Sequence, residues 1–248
     1  MAQGFFKHIP NINYDFKSDG RYHQAKDLFR KVSTWSYLQE GISGYSYYRI
    51  TEGERPDVVA SRLYGDSTLY WTFFLVNENL QDFSDWPKSS ALLEKYINRK
   101  YSGKSLVAGS STDIVSSSKK FHLGEKVTQV SSGAFGFVTK IEPTHNRIIL
   151  NSVTGTFTTG TVIGSNEIND QNVNDSKSFT VTSVQNERDA VNHYIDSNNL
   201  RTTIATSNTV ITNETYERDL NEDKFQIRYI EPRFIGRVVK EFIDIVRD

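Results

Sequence analysis

YYRITEGERPDVVASRLYGDSTLYWTFFLVNENL, residues Tyr47 to Leu80, is the stretch from which the fold is read. A short β-prone run, Tyr47 to Thr51, closes in the turn-forming Glu52-Gly53-Glu54. Pro56 suits a first helical turn, because its missing N–H is not needed there and its φ is already helical. Asp57 beside it favours the positive end of the helix dipole. Val59 and Leu63, four apart, give that helix an apolar face, and Gly65 after Tyr64 reads as its C-terminal cap. Asp66-Ser67 then caps a second helix with the body Leu69 to Val76, in which only Thr72 is polar. A helix with one wet side shows a polar stripe, and this one has none. A module of about 50 residues has too little volume to surround it, so the rest of the chain or a partner must cover it.

In Tyr48-Arg49-Ile50, Gly53-Glu54, Val59-Ala60, Leu63-Tyr64-Gly65 and Leu75 to Asn79 this stretch resembles the LysM module, a small βααβ fold. In Glu54-Arg55-Pro56-Asp57, Leu63-Tyr64-Gly65-Asp66, Tyr70-Trp71 and Asn77-Glu78-Asn79 it is similar, more narrowly, to one baseplate wedge subunit of T4-like contractile-tailed bacteriophages. The resemblance covers roughly residues 5 to 101 and 186 to 248. It implies a structural subunit without turnover or cofactor, docked on other wedge proteins in a sixfold baseplate. It further implies a place in the virion tail, assembled in the host cytoplasm, without nucleic acid or membrane.

The bulk composition agrees with a subunit of that kind. Formal charge is −1 over 248 residues, so no global steering onto nucleic acid is implied, and there are no cysteines for disulfides or thiolate chemistry. No run approaches the roughly 18 apolar residues of a membrane span, and the first residues lack the apolar core of a signal peptide. Residues 1 to 46 form an aromatic arm, with Phe5, Phe6, Trp35 and Tyr37 as rings in need of cover. Residues 47 to 101 are the LysM-like domain, ending in a third helix with Leu92, Leu93, Tyr96 and Ile97 on one face.

Residues 102 to 120 have the Ser/Gly composition of a linker. Residues 121 to 185 alternate β-prone runs with Gly, Ser and Asn turns and read as an inserted, barrel-like all-β domain. Within it Phe121-x-x-Gly124-x-x-Val127 echoes Phe157-x-x-Gly160-x-x-Ile163, as if two related strand-turn units closed one barrel. Residues 165 to 178 read as a polar loop. Residues 186 to 248 pack on the LysM-like core or on partners: Ala190 to Tyr194 as a returning strand, Tyr216 to Glu222 as an exposed helix, and Lys224 to Tyr229 as a strand. From Pro232 a last helix carries Phe234, Val238 and Phe242 in a continuous apolar stripe. The fold class is therefore α+β: a small βααβ unit with an N-terminal arm, a C-terminal strand-helix and an all-β insertion.

Few residues in the sequence point to chemistry. The five histidines are scattered without Cys or an i,i+4 partner, so no zinc site is indicated, and His193 reads as structural. Gly103-Lys104-Ser105 lacks the first Gly of a P-loop, and Asp170-x-Asn172-x-Asn174 lacks the Gly and Glu of a calcium loop. Asn213-Glu214-Thr215 has the glycosylation pattern without a secretion signal. Two classes of function remain. As a docking subunit, the chain presents the arm rings together with Tyr70, Trp71, Phe74, Trp86, Phe234, Val238 and Phe242 to neighbours. As a LysM-type binder of N-acetylglucosamine polymers, it uses a groove between Glu52–Pro56 and Asn79–Trp86, with Tyr48, Phe83 and Trp86 as stacking faces.

Overall fold

The computed structural model describes residues 9–27, 44–115, 121–164, 177–203 and 208–247. Two compact units divide the chain: Met1–Ser90 with Leu220–Asp248, and Ala91–Asp219. In chain order the first unit supplies strands β1 (Asn11–Tyr14), β2 (His23–Lys26) and β3 (Tyr45–Arg49), then helices α1 (Pro56–Tyr64) and α2 (Trp71–Val76). Helix α3 (Ser90–Lys100) leads into the second unit, followed by β4 (Lys104–Ala108), α4 (Thr112–Val115), β5 (Lys126–Gln129) and β6 (Phe135–Glu142). Strands β7 (Arg147–Thr154), β8 (Gly160–Gly164), β9 (Ser178–Asn186), β10 (Val191–Ile195), β11 (Arg201–Thr202) and β12 (Thr209–Thr212) come next. The unit boundary falls within α5 (Asn213–Asp223), and β13 (Gln226–Ile230) and α6 (Pro232–Arg247) complete the first unit. Among the described residues no helix is long and apolar enough to cross a membrane.

The first unit follows its local signals closely. Pro56 opens α1, and Gly65 closes it at φ 72°, where its N–H bonds the Ser61 carbonyl. That left-handed turn is open to glycine at no steric cost. Asp66 caps the next segment by accepting from the Thr68 N–H at 2.8 Å, but the first turn is 3₁₀ over Ser67–Tyr70 and becomes α-helical at Trp71. Strand β3 lies two residues earlier than the sequence suggests. Its antiparallel partner is β13, with Tyr48 opposite Ile227 and no register shift. The strand that closes the two-helix unit thus comes from the far end of the chain and not from within residues 47–101.

This pairing, together with α6, resolves the anomaly of α2. One side of α2 places Phe73 with Ile50, Val59, Ala60, Leu80, Trp86 and Ile227 in one core cluster. Other sides are covered by α6 together with Ile9 and the end of β13: Trp71 packs with Ile9 and Phe242, and Val76 with Ile230 and Val238. The chain thus covers most of this apolar helix itself, and only Phe74 and Leu75 stay half-buried.

The second unit holds a closed six-stranded antiparallel barrel in the order β4-β7-β6-β5-β8-β9. Leu106, Val127, Val138, Leu150, Val162 and Phe179 point inward with almost no exposure. A closed barrel removes the open edges that a sheet of this size otherwise presents. Its first strand, β4, lies inside the stretch with linker composition. Leu106, Val107 and Ala108 are apolar enough to fill one place between β7 and β9, which the surrounding serines obscure. Gly103 is required there by close approach: a Cβ would meet Ile149 at 2.6 Å and the Glu187 carboxylate at 2.8 Å. The internal echo slips by one residue, because Val127 points inward whereas Ile163 is 40% exposed and Val162 takes the core position. A one-residue slip reverses the face of every side chain.

Strand β10 does not return to the first unit; it pairs with β11 and β12 in a separate three-stranded sheet. His193 there is buried, with Nδ1 2.9 Å from the Asn192 side-chain oxygen and its ring edge-on to Tyr216. Helix α5 is less exposed than its composition implies. Glu217 is buried and accepts from Lys100 Nζ at 2.7 Å and from the Tyr101 hydroxyl at 2.8 Å. Arg188 bonds Glu94 and Glu214, and Arg218 bonds the same two carboxylates, which ties α3 to α5 by a ring of four charges. The Asp170-x-Asn172-x-Asn174 motif and most of the expected 165–178 loop lie outside the described residues.

Candidate interaction surface

The candidate surface residues separate once the chain is folded. Trp71, Trp86, Val238 and Phe242 are all less than 10% exposed and belong to the core of the first unit. They are core residues and not open docking residues, because of the two possible covers for α2 the chain itself supplies one, in α6, and Trp86 packs with Ile50 and Phe73. Tyr70, Phe74 and Phe234 are half-buried. Phe5, Phe6, Trp35 and Tyr37 lie outside the described residues.

Tyr70 and Phe74 meet around Phe83, with ring centroids 5.0 and 5.3 Å from it. Phe83 itself is 56% exposed, so these three rings form an aromatic shelf with one open face. Aromatic pairs at such spacings each add a fraction of a kcal/mol to about 1.5 kcal/mol beyond burial. The shelf is fixed by the turn at Asp82, whose carboxylate accepts from the Ser84 N–H at 2.7 Å. Lys224 Nζ holds Asp85 at 3.2 Å from the other side.

The residues of the supposed glycan groove are committed elsewhere. Trp86 Nε1–H donates to the Glu54 carbonyl at 2.7 Å, which ties together the two loops that would flank a groove. Tyr48 is half-buried; its hydroxyl donates to Glu54 at 2.9 Å and accepts from Arg62 at 2.5 Å. Burial and the Glu54 hydrogen bond push the Tyr48 phenol above its ordinary pKa. Arg62 also pairs with Glu54 at 2.5 Å. Only Phe83 keeps an exposed ring.

Exposed rings stand at three further places, the first within the aromatic arm expected from the sequence. On the β1–β2 hairpin Tyr14, Phe16 and Tyr22 are 45%, 64% and 70% exposed, and the turn between the strands is held by the Asp15 carboxylate. The Gly20 N–H bond is the largest cause of the lowered pKa of Asp15. On the barrel wall Phe135 and Phe137 stand together, with the Lys126 ammonium 4.7 Å from the Phe135 ring. The alternation Phe135-Gly136-Phe137 is the period-2 signal for an outer face with aromatic side chains. On β3, Tyr47 is 67% exposed although it sits within the stretch most legible as fold.

Residues 1–115 match the model of the family described as Base plate wedge protein 53. The chain is 30% identical over 79 residues to the baseplate wedge protein gp53 of Enterobacteria phage T4. That alignment covers 29% of this chain and 39% of the relative, so the chain spans about two fifths of the length of the curated relative it matches. The stretch of sequence that carries this first unit from its N-terminal strands through α2 is therefore similar to phage baseplate wedge proteins.

Proposed function

We propose that this protein is a structural subunit of a phage tail baseplate wedge, which docks neighbouring wedge subunits and helps to join wedges into the baseplate ring. The observation that carries the reading is the family match over residues 1–115, which takes in the whole β3-α1-α2 segment. The first unit is read as LysM-like: β3, α1 and α2 are followed by β13 as the second strand of a βααβ unit, with the second unit inserted between α2 and that strand. Exposed rings at Tyr14, Phe16, Tyr22, Tyr47 and Phe83 supply contact surface of the kind that protein interfaces favour.

The partners are other wedge proteins of the same particle, present in several copies around the sixfold axis. Recognition of these partners requires no cofactor or turnover. Mass spectrometry and cryo-electron microscopy of purified tails test this: the chain is expected in the baseplate, and lysates lacking it should not yield complete tails. Complete baseplates without the chain would sink the reading. The glycan-binding alternative is disfavoured by the burial of Trp86 and the commitment of its N–H to Glu54. Retention of the purified chain on chitin, lost on Phe83→Ala, would restore it.

A further inference from the structure

The β3–β13 sheet has two long edges, and the chain treats them differently. The Ile50 N–H bonds the Phe225 carbonyl at 2.8 Å, and the Glu231 N–H bonds the Gly44 carbonyl at 3.0 Å. With the observed register, the hydrogen-bonded pairs are therefore Gly44 with Glu231, Ser46 with Tyr229, Tyr48 with Ile227 and Ile50 with Phe225. The backbone groups of the alternate residues point out of the sheet: Gln226, Arg228 and Ile230 on β13, and Tyr45, Tyr47 and Arg49 on β3. The middle of the β13 edge is closed by one side chain. Asn77 Oδ1 accepts from the Arg228 N–H at 2.8 Å, and Asn77 Nδ2 donates to the Arg228 carbonyl at 2.8 Å.

Among the described residues, no corresponding group bonds the outward N–H and C=O of Tyr45, Tyr47 or Arg49. The strand has none of the usual protections either: no proline, no bulge and no lysine. We propose that this edge of β3 is a docking site for an extended acidic segment of another polypeptide, which adds to the sheet as a third strand. The proposal rests on the function proposed above, since the donor of the strand is a neighbouring subunit of the particle.

Charge selects the occupant. Tyr47 and Arg49 share one face of the sheet with Gln226 and Arg228, and all four are exposed. Arg49 is paired with Glu222 at 2.5 Å, whereas Arg228 makes no ion pair among the described residues. A carboxylate on the same face of an added strand would meet this excess positive charge. A second copy of the chain, added about a two-fold axis at Tyr47, would set Arg49 opposite Tyr45 of the copy and bring no carboxylate of β3 to this face. Main-chain bonds give affinity in strand addition, and side chains on the shared face give the selectivity.

The experiment compares hydrogen exchange of residues 44–50 in the isolated chain and in purified tails, alongside incorporation of two variants. Tyr47→Pro removes an outward N–H without touching a bond to β13, and Arg228→Glu reverses the unpaired charge. Expected are fast exchange at Tyr45, Tyr47 and Arg49 in the isolated chain and slowing of at least about tenfold in tails. Both variants should enter tails about tenfold less than the parent. If Tyr47→Pro misfolds, Arg228→Glu and the exchange data carry the test. A chain present in tails with these amides still fast, or both variants incorporated at the parental level, overturns the edge proposal and leaves the wedge reading standing. Absence of the parent chain from tails overturns both.

Discussion

The indole of Trp71 lies 4.4 Å from the ring of Phe242, tilted by 38°, and this contact joins the helix at the centre of the first unit to the last helix of the chain. Both residues are nearly inaccessible, at 6% and 4% exposure. The apolar stripes of α2 and α6 are therefore each other's cover.

Trp71→Ala should lower the stability of the first unit by about 3–5 kcal/mol, the usual cost of truncating a large buried aromatic. Phe242→Ala should cost a similar amount, and the two effects should be non-additive by about 0.5–1.5 kcal/mol. Denaturant unfolding of the two single variants and the double variant measures this. Strict additivity would mean that α6 is not docked on α2 in solution.

Asn77→Ala should destabilise by about 1–3 kcal/mol despite removing few apolar atoms. The side chain bonds the Phe73 carbonyl as well as both backbone groups of Arg228, so its loss uncaps α2 and β13 together. Urea titration monitored by tryptophan fluorescence is the measurement. A change below about 0.5 kcal/mol would show that water replaces the amide without loss.

The ring of charges between α3 and α5 predicts an acid limb in the stability of the second unit. Hydrogen bonds from Arg188 are the largest cause holding both Glu94 and Glu214 below the ordinary value of 4.5. A carboxylate whose folded pKa is depressed contributes fully above its unfolded value and loses that contribution as pH falls through the folded value. Melting midpoints recorded from about pH 7 to about pH 3 should therefore fall below about pH 4.5, and Arg188→Met should flatten that fall. An unchanged acid limb in the variant would assign the effect to other carboxylates.

Excision tests how the barrel joins the chain. Lys104 and Asn186 are paired neighbours on β4 and β9, and Gly103 and Glu187 beside them exchange bonds of 2.8 and 3.0 Å. Replacing residues 104–186 with a short Gly/Ser linker should leave a cooperative helical remainder, because closing a loop between adjacent ends costs little. Removing only residues 119–183 should give an aggregating product, since it strips β4 of its partners and exposes Leu106, which is fully buried in the barrel. Circular dichroism and light scattering distinguish the two products. Equal behaviour would place β4 outside the barrel core.

What the sequence determined by itself is local. Pro56 and Gly65 delimit α1, the spacing of Phe234, Val238 and Phe242 makes α6 an amphipathic helix, and alternation marks β6 and β9 as strands, because each signal depends only on backbone geometry over a few residues. The all-apolar α2 also announced that something had to cover it. Which surface did so was decided only by the tertiary structure, as were the pairing of β3 with β13, the entry of β4 into the barrel and the capping of β13 by Asn77. Each of these joins residues far apart in the chain, and their local composition is compatible with several partners. Leu106 among serines reads as a linker until β7 and β9 stand beside it. Trp71 reads equally as interface or core until Phe242 is found 4.4 Å away. Burial is a property of the surroundings of a side chain, and in this protein those surroundings come largely from the other end of the chain.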